Sequence, residues 1–274
     1  MKKTIVILLL ISVTVSLFSQ NVGQKGDSLI NYVDINGMKQ GPWQKKYENE
    51  QIAYIAHFKN DKLIGEYKRF YSNGKLSAFI LYNNDGNKAN AKLYWDNGKL
   101  MAKGNYINTN VKDSIWEFYR IDETLAAKVT YKAGIKDGKS TSYFKSGDKS
   151  EELTYKNDIK EGVWRQYYDG GKTRIETRYV NGKKEGAINL YYKSGRLRFK
   201  GKYRGNLKHG KFIFYESSGK IEKEIEYIKN IATNEDEINA KFTNEIIESE
   251  KNKDRFEEPT IDNVFENSQK SRYK

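Results

Sequence analysis

A small residue recurs along the chain every 24 residues, with one interval of 25, and this period limits the possible folds more than any other feature. A period of this length is typical of repeat proteins, in which each unit packs against its neighbours in the array. The sequence therefore predicts eight tandem units. They open at Gly41, Gly65, Ala89, Ser114, Gly138, Gly162, Gly186 and Gly210.

Each unit consists of two extended runs separated by turn residues. A second glycine follows nine residues after the opening residue in six of the eight units, for example Gly171 after Gly162. Turns this frequent are incompatible with helices of ordinary length and favour β-hairpins. A single hairpin is marginally stable in water, so the units are expected to stack. The predicted fold is all-β, an elongated antiparallel β-meander of about eight stacked β-hairpins, roughly 75 Å long at a strand spacing of about 4.8 Å.

The second run of every unit ends in an aromatic residue, which predicts a structural aromatic ladder along one face of the sheet. Strict alternation of side chains places the basic residues of the sixth and seventh units on the opposite face. The predicted ladder is Phe58, Tyr82, Tyr106, Tyr131, Tyr155, Tyr179, Tyr203 and Tyr227.

The most regular unit reads Gly-x-Trp-x-x-Tyr-Tyr-x-x-Gly-Lys, followed by a tyrosine and Asn-Gly. It runs from Gly162 and Trp164 through Tyr179 to Asn181-Gly182. This pattern resembles the MORN repeat variant, and the array resembles the YwqK-type antitoxin-like family. The resemblance covers about residues 35–230 and implies a fold of stacked hairpins. It also implies protein binding and toxin neutralisation, whereas MORN arrays more broadly imply scaffolding or association with lipid.

The composition argues against an enzyme. The chain has no cysteine and two histidines, so thiol chemistry and thiolate metal sites are excluded. His57 and His209 lie six repeats apart, which leaves no geometric basis for a catalytic triad. Glu222, Glu224 and Glu226 share one strand face and suggest either calcium binding or charge pairs with the basic residues of the preceding hairpin. The second interpretation is favoured, and the sequence predicts no catalytic residue, metal or cofactor.

Two patches on the face opposite the ladder are candidate binding surfaces. Aromatic residues make up 14% of the chain and charged residues 31%, as expected for a sheet packed on one face and wet on the other. Residues 21–230 carry a net charge of +15, which either favours an acidic partner or keeps the sheet soluble. The first patch is apolar, and the incoming segment 21–36 is an alternative occupant of it. The candidate binding residues are Ile55, Phe79 and Leu81 in this apolar patch, and Arg174, Arg178, Arg198, Lys200 and Lys202 in a basic stripe.

The two ends of the chain differ from the array. Met1-Lys2-Lys3 followed by a run of about 15 apolar residues is typical of a signal peptide, predicted over residues 1–19. A lead-in segment is predicted over 20–34 and the repeat array over 35–230. Ile238, Phe242 and Ile246 recur every fourth residue and predict an amphipathic C-terminal capping helix over 231–251, with a partner-binding helix as the alternative. Residues 252–274 are predicted to be a flexible tail.

These features predict an exported, non-catalytic repeat protein, located in the periplasm, on the envelope or outside the cell. It is expected to act as a protein-binding or scaffold module with an antitoxin-like or immunity-like role. The alternative is a cell-envelope module that binds acidic lipid or polysaccharide through its basic face. Nucleic acid is not expected as a partner, because the rings face the packed side where bases cannot stack on them. The sequence leaves the oligomeric state open.

Overall fold

The protein is described by a computed structural model over residues 29–233, and all regular structure in that range is β. Successive strands pair antiparallel from one end of the range to the other, which makes a single meandering sheet. The predicted all-β antiparallel meander is confirmed. Between residues 29 and 233 no helix is long and apolar enough to cross a membrane.

Twenty strands form the described sheet. In the first half they are β1 Tyr32–Val33, β2 Lys39–Lys46, β3 Ile52–Lys59, β4 Lys62–Leu63, β5 Gly65–Phe70, β6 Leu76–Tyr82, β7 Lys88–Tyr94, β8 Leu100–Ile107, β9 Val111–Tyr119 and β10 Leu125–Lys132. In the second half they are β11 Ile135–Tyr143, β12 Lys149–Lys156, β13 Ile159–Tyr167, β14 Thr173–Val180, β15 Lys183–Tyr191, β16 Leu197–Arg204, β17 Leu207–Lys208, β18 Gly210–Tyr215, β19 Ile221–Ile228 and β20 Ile231–Ala232.

The strands form eight hairpins, which correspond to the eight units in the sequence. The second hairpin has an interrupted first strand, β4 and β5, and both pieces pair with β3. The eighth has the same interruption, because β17 and β18 both pair with β16. The opening glycines of these two units, Gly65 and Gly210, begin the second piece of the strand and have φ values of 62° and 77°, which residues with a side chain rarely adopt.

Every hairpin contains a β-bulge near the start of its second strand. In β6, for example, Arg69 pairs with Ala78 and Phe70 with Leu76, so Ser77 is the extra residue. Ser77 and Ala78 are therefore both buried, although they are adjacent in sequence. The bulge interrupts the strict alternation assumed from the sequence and changes which residues face the core. The eight bulge residues are Ala53, Ser77, Met101, Ala126, Ser150, Arg174, Arg198 and Glu222.

The apolar core lies on one face of the sheet, called here the ladder face because it carries the ladder of aromatic residues. Trp116 and Trp164 are fully buried on it. The core forms two clusters, one in units two to four and one in units five to eight. A glycine stands next to a large ring where the core has no room for a second side chain. A Cβ atom on Gly201 would lie 2.5 Å from Cδ1 of Phe212, so the absence of a side chain at residue 201 makes room for the ring.

Both ends of the described sheet carry a two-residue strand. At the first end, β1 pairs with β2 through Tyr32 and Gln40, which places part of the predicted lead-in segment in the sheet. At the other end, Ile231 pairs with Ile228, so Ile231 and Ala232 belong to a strand and not to the predicted helix. The rest of that predicted helix, the predicted signal peptide and the predicted C-terminal tail lie outside the described residues.

Candidate binding surfaces

A single row of opposed residues crosses the face opposite the ladder, called here the polar face. Each residue in the row pairs with the next one on the adjacent strand, from β2 to β19. Apolar side chains occur towards the two ends of this row, and most residues in the centre are basic or acidic. The row is Gln44, Ile55, Lys68, Phe79, Lys92, Lys103, Glu117, Lys128, Thr141, Glu152, Arg165, Glu176, Asn189, Lys200, Ile213 and Glu224.

The centre of the row is an ion-pair network. Glu117 accepts from Lys103 at 2.9 Å and from Lys128 at 2.8 Å, one lysine on each neighbouring strand. The Tyr119 hydroxyl also donates to this carboxylate, at 2.5 Å. Burial alone would raise the pKa of Glu117, but the hydrogen bonds from Lys128, Tyr119 and Lys103 outweigh it and lower the pKa to about 2.

Glu152 repeats this arrangement one and a half units later. It accepts from Lys139 at 2.8 Å, from Lys149 at 2.7 Å and from the Tyr167 hydroxyl at 2.6 Å. Burial again opposes ionisation, and the same three donors lower the pKa of Glu152 to about 2. Burial and the bond to Glu152 raise the pKa of Tyr167 to about 12. These carboxylates are therefore charged and internally paired, which makes them structural groups and not general acids.

The predicted apolar patch is exposed but not continuous. Ile55 is 37% exposed and Leu81 is 45% exposed, whereas Phe79 is half-buried. Lys68 lies between Ile55 and Phe79 in the row, with its ammonium 5.8 Å from the Phe79 ring centre and 2.6 Å from the Glu66 carboxylate. The segment 21–36, which was the alternative occupant, is described from Leu29 onwards and joins the sheet at the edge of β2, so this described part leaves Ile55 and Leu81 exposed.

The predicted basic stripe is divided between the two faces. Arg178, Lys200 and Lys202 are exposed on the polar face, as strict alternation predicts. The predicted placement is wrong for Arg174 and Arg198, because both are bulge residues.

The contacts of these two arginines place them on the ladder side. Arg174 donates to the side-chain oxygen of the buried Gln166 at 3.3 Å. Arg198 lies 5.6 Å from the ring centre of Tyr192. The outward basic surface is therefore smaller than the sequence predicts.

The expected pairing of the three glutamates with the basic residues of the preceding hairpin is also wrong. Strand β18 lies between β16 and β19, so the two sets are not on adjacent strands. Glu224 instead pairs with Lys211 at 3.3 Å. No cluster of three or more histidine, cysteine or carboxylate residues suited to a metal occurs between residues 29 and 233. His57 and His209 lie on β3 and just after β17, six units apart.

The ladder face carries a file of lysines that the sequence prediction missed. In units four to eight a lysine two residues before the opening position pairs with the ladder tyrosine of the preceding unit. Its ammonium also lies over the ladder ring of its own unit, at distances of 4.6 to 5.4 Å from the ring centre. The signal in the sequence was a lysine recurring every 24 residues. The lysine file is Lys112, Lys136, Lys160, Lys184 and Lys208.

The backbone of each lysine in the file is held by the turn at the end of its own unit. Lys136 donates its backbone N–H to the Asp158 carboxylate at 2.7 Å, and its carbonyl accepts from the Asp158 N–H at 2.8 Å. Asn206 and Asn230 make the same pair of bonds with Lys184 and Lys208. Burial, followed by the nearby charge of Lys184, lowers the pKa of Lys208. The file is thus a row of cations with a fixed backbone and a regular spacing.

This geometry defines a single-sheet repeat protein whose units are hairpins. The family model of the MORN repeat variant matches residues 39–60, 63–84, 89–108, 136–157, 160–181 and 208–229. The fourth and seventh hairpins lie between the matched segments and have the same pairing. The chain therefore carries an array of MORN repeat variants, as the sequence predicts.

Similarity to solved structures is low. The structure of TarM is 17% identical, has a TM-score of 0.26 and covers 34% of this chain and 20% of its own. The TcdB2-TccC3-Cdc42 complex is 11% identical with a TM-score of 0.16, and covers 72% of this chain and 13% of its own. The chain thus spans a fifth or less of these proteins, and at such scores neither bears on its function. A comparison with curated proteins gives no match.

Proposed function

We propose that the protein is an exported, non-catalytic module that binds another protein through its polar face. The observation that supports this most directly is the uneven row across that face. At the centre of the row, charged side chains are paired with one another around Glu117 and Glu152. Near one end, Ile55 and Leu81 are exposed. Exposed apolar side chains among polar neighbours are common in protein interfaces. The YwqK-type resemblance adds an antitoxin-like or immunity-like role in the envelope to this proposal.

The test compares two pairs of substitutions in the full chain. Ile55→Glu with Leu81→Glu places charges in the proposed interface. Ile135→Glu with Ile159→Glu is the matched control, because these isoleucines are also exposed, at 39% and 49%, but lie at the beginnings of β11 and β13, away from Ile55 and Leu81. Envelope proteins that copurify with the wild type are identified, and each is then purified and tested for direct binding.

The proposal predicts a direct partner whose affinity falls at least tenfold in the first variant and stays within about threefold in the control. Retention of that partner at high salt supports an apolar protein contact, since salt weakens exposed charge interactions. Equal binding by both variants would reject the polar face as the interface. A complex that dissociates at high salt would favour the second candidate function, which is binding of an acidic lipid or polysaccharide by Arg178, Lys200 and Lys202.

A further inference from the structure

The lysine file forms a second charged surface, on the face opposite the proposed protein interface. Lys112 to Lys208 occupy equivalent positions in five successive units without interruption. The file is interrupted in units three and two, where Asn87 and Leu63 stand at the equivalent position, and Lys39 occupies that position again in unit one, 5.1 Å from the Phe58 ring centre. The uninterrupted part therefore covers the last five of the eight units.

The spacing of the file follows from the sheet itself. Equivalent residues of adjacent units are two strands apart, so neighbouring lysines are separated by about 10 Å. Five lysines thus span roughly 40 Å in one line. The described chain carries 39 Lys and Arg against 24 Asp and Glu, which adds a long-range attraction for anions.

The ladder rings beneath the lysines hold the cations in place. Lys160 lies 5.2 Å from the Tyr179 ring centre and Lys184 lies 5.1 Å from the Tyr203 ring centre. The attraction between an ammonium and a ring face restricts the side chain. The backbone N–H groups of Lys136 and Lys184 donate to the side-chain oxygens of Asp158 and Asn206, which fixes the backbone of both lysines. Cations that are ordered before binding lose less entropy when a ligand arrives.

We infer that the lysine file is a binding track for an extended acidic polysaccharide. Such a polymer carries carboxylates at a regular interval along an extended chain, so several of them can contact cations that are repeated at a regular interval along the file. The rings of Tyr179 and Tyr203 are 5% and 7% exposed, so bases cannot stack on them as single-stranded nucleic acid requires. The lysines are half-buried in a file one residue wide, which suits a single polymer chain better than the plane of a lipid surface.

The test uses the full chain with size-fractionated oligogalacturonates as the acidic probe and their methyl esters as the neutral control. One variant removes three cations of the file, Lys136→Gln, Lys160→Gln and Lys184→Gln. The matched control removes three exposed cations that belong to neither proposed binding surface, Lys132→Gln, Lys156→Gln and Arg204→Gln. Both variants lose the same net charge, so a general electrostatic effect would weaken binding equally.

The track predicts at least tenfold weaker binding by the first variant and less than threefold weaker binding by the control. Affinity should increase with oligomer length until the polymer spans about 40 Å, which is the length of the file. The corresponding Lys→Arg triple variant should retain binding, and circular dichroism should show that each variant is folded. If the Gln triple variant does not fold, each single Lys→Gln variant is measured against the Lys→Arg triple variant.

Equal losses in both triple variants, no dependence on length, or equal binding of the methyl esters would each overturn the inference. Comparable binding to phosphatidylglycerol vesicles through the same lysines would assign the file to a lipid surface instead and would also overturn it. The Ile55→Glu and Leu81→Glu variant should bind oligogalacturonate like the wild type, which separates this track from the proposed protein interface.

Discussion

The Tyr168 hydroxyl donates to the backbone carbonyl of Tyr191 in the next unit, at 2.8 Å. The equivalent bond recurs from Tyr47 to Phe70, from Tyr71 to Tyr94 and from Tyr192 to Tyr215, always across 23 residues. In unit four Arg120 replaces the tyrosine and donates to the carbonyl of Tyr143. Unit five has Phe144 in this column, which has no hydroxyl to donate. These bonds link units one, two, four, six and seven each to the unit that follows.

This column predicts a pair of opposite stability changes. Tyr168→Phe removes one hydrogen bond and should lower the free energy of unfolding by about 1 kcal/mol. Phe144→Tyr adds a hydroxyl where the column lacks one and should raise it by about 0.5–1 kcal/mol. Urea denaturation of the full chain measures both. Tyr32→Phe is the control, because Tyr32 is 44% exposed and its substitution should change little. A stability loss in Phe144→Tyr would contradict the proposed role of the column.

The polar-face network predicts a loss of stability in acid. The pKa values of Glu117 and Glu152 are lowered to about 2 from an ordinary value of 4.5, so folding favours their charged forms. Their contribution is complete above pH 4.5 and is lost as the pH falls towards 2. Denaturation midpoints measured from pH 7 to pH 2 should fall more steeply in the wild type than in Glu117→Gln with Glu152→Gln. Identical slopes in the two proteins would show that other carboxylates cause the acid sensitivity.

The close contact between Gly201 and Phe212 predicts that a single methyl group is costly. A Cβ atom at residue 201 would lie 2.5 Å from the ring, so Gly201→Ala should destabilise the protein by about 1–3 kcal/mol through overpacking. Combining it with Phe212→Leu should recover part of that loss, because the smaller side chain leaves room. A double-mutant cycle measures the coupling between the two residues. Additive effects would show that the two sites do not clash.

The proposed signal peptide over residues 1–19 predicts a processed protein. Cleavage between Ser19 and Gln20 should give a mature chain that begins at Gln20, which N-terminal sequencing of the exported protein can identify. Leu9→Lys places a charge in the apolar run and should leave the chain unprocessed inside the cell. A mature wild-type protein that still begins at Met1 would support an uncleaved anchor instead.

The repeat period predicted the number of hairpins, because opening residues such as Gly162 and Gly186 recur at a constant interval. The face of the sheet on which an individual side chain lies was less predictable. Alternation holds for Lys200 and Lys202, but the bulge places Arg198 on the ladder side. The clue was a pair of adjacent small or apolar residues after the turn, such as Ser77 and Ala78, which strict alternation cannot bury together. Each lysine of the file pairs with the ladder tyrosine of the preceding unit and contacts the ladder ring of its own unit. Both contacts depend on the register of the strands, so the spacing of the lysines in the sequence could not predict them.

The bonds that join one unit to the next have a consequence for the length of the molecule. The turn at Asp158 holds Lys136 of its own unit, and Tyr168 reaches Tyr191 of the next unit, so these contacts extend no further than an adjacent unit. Deleting residues 162–185, a whole period, would therefore bring equivalent partners together and keep the remaining hairpins in phase. Deleting half a period would instead place the first strand of one hairpin at the position of the second strand of another. The array can thus gain or lose length in evolution by whole modules, and each change alters the reach of its surfaces without requiring a new fold.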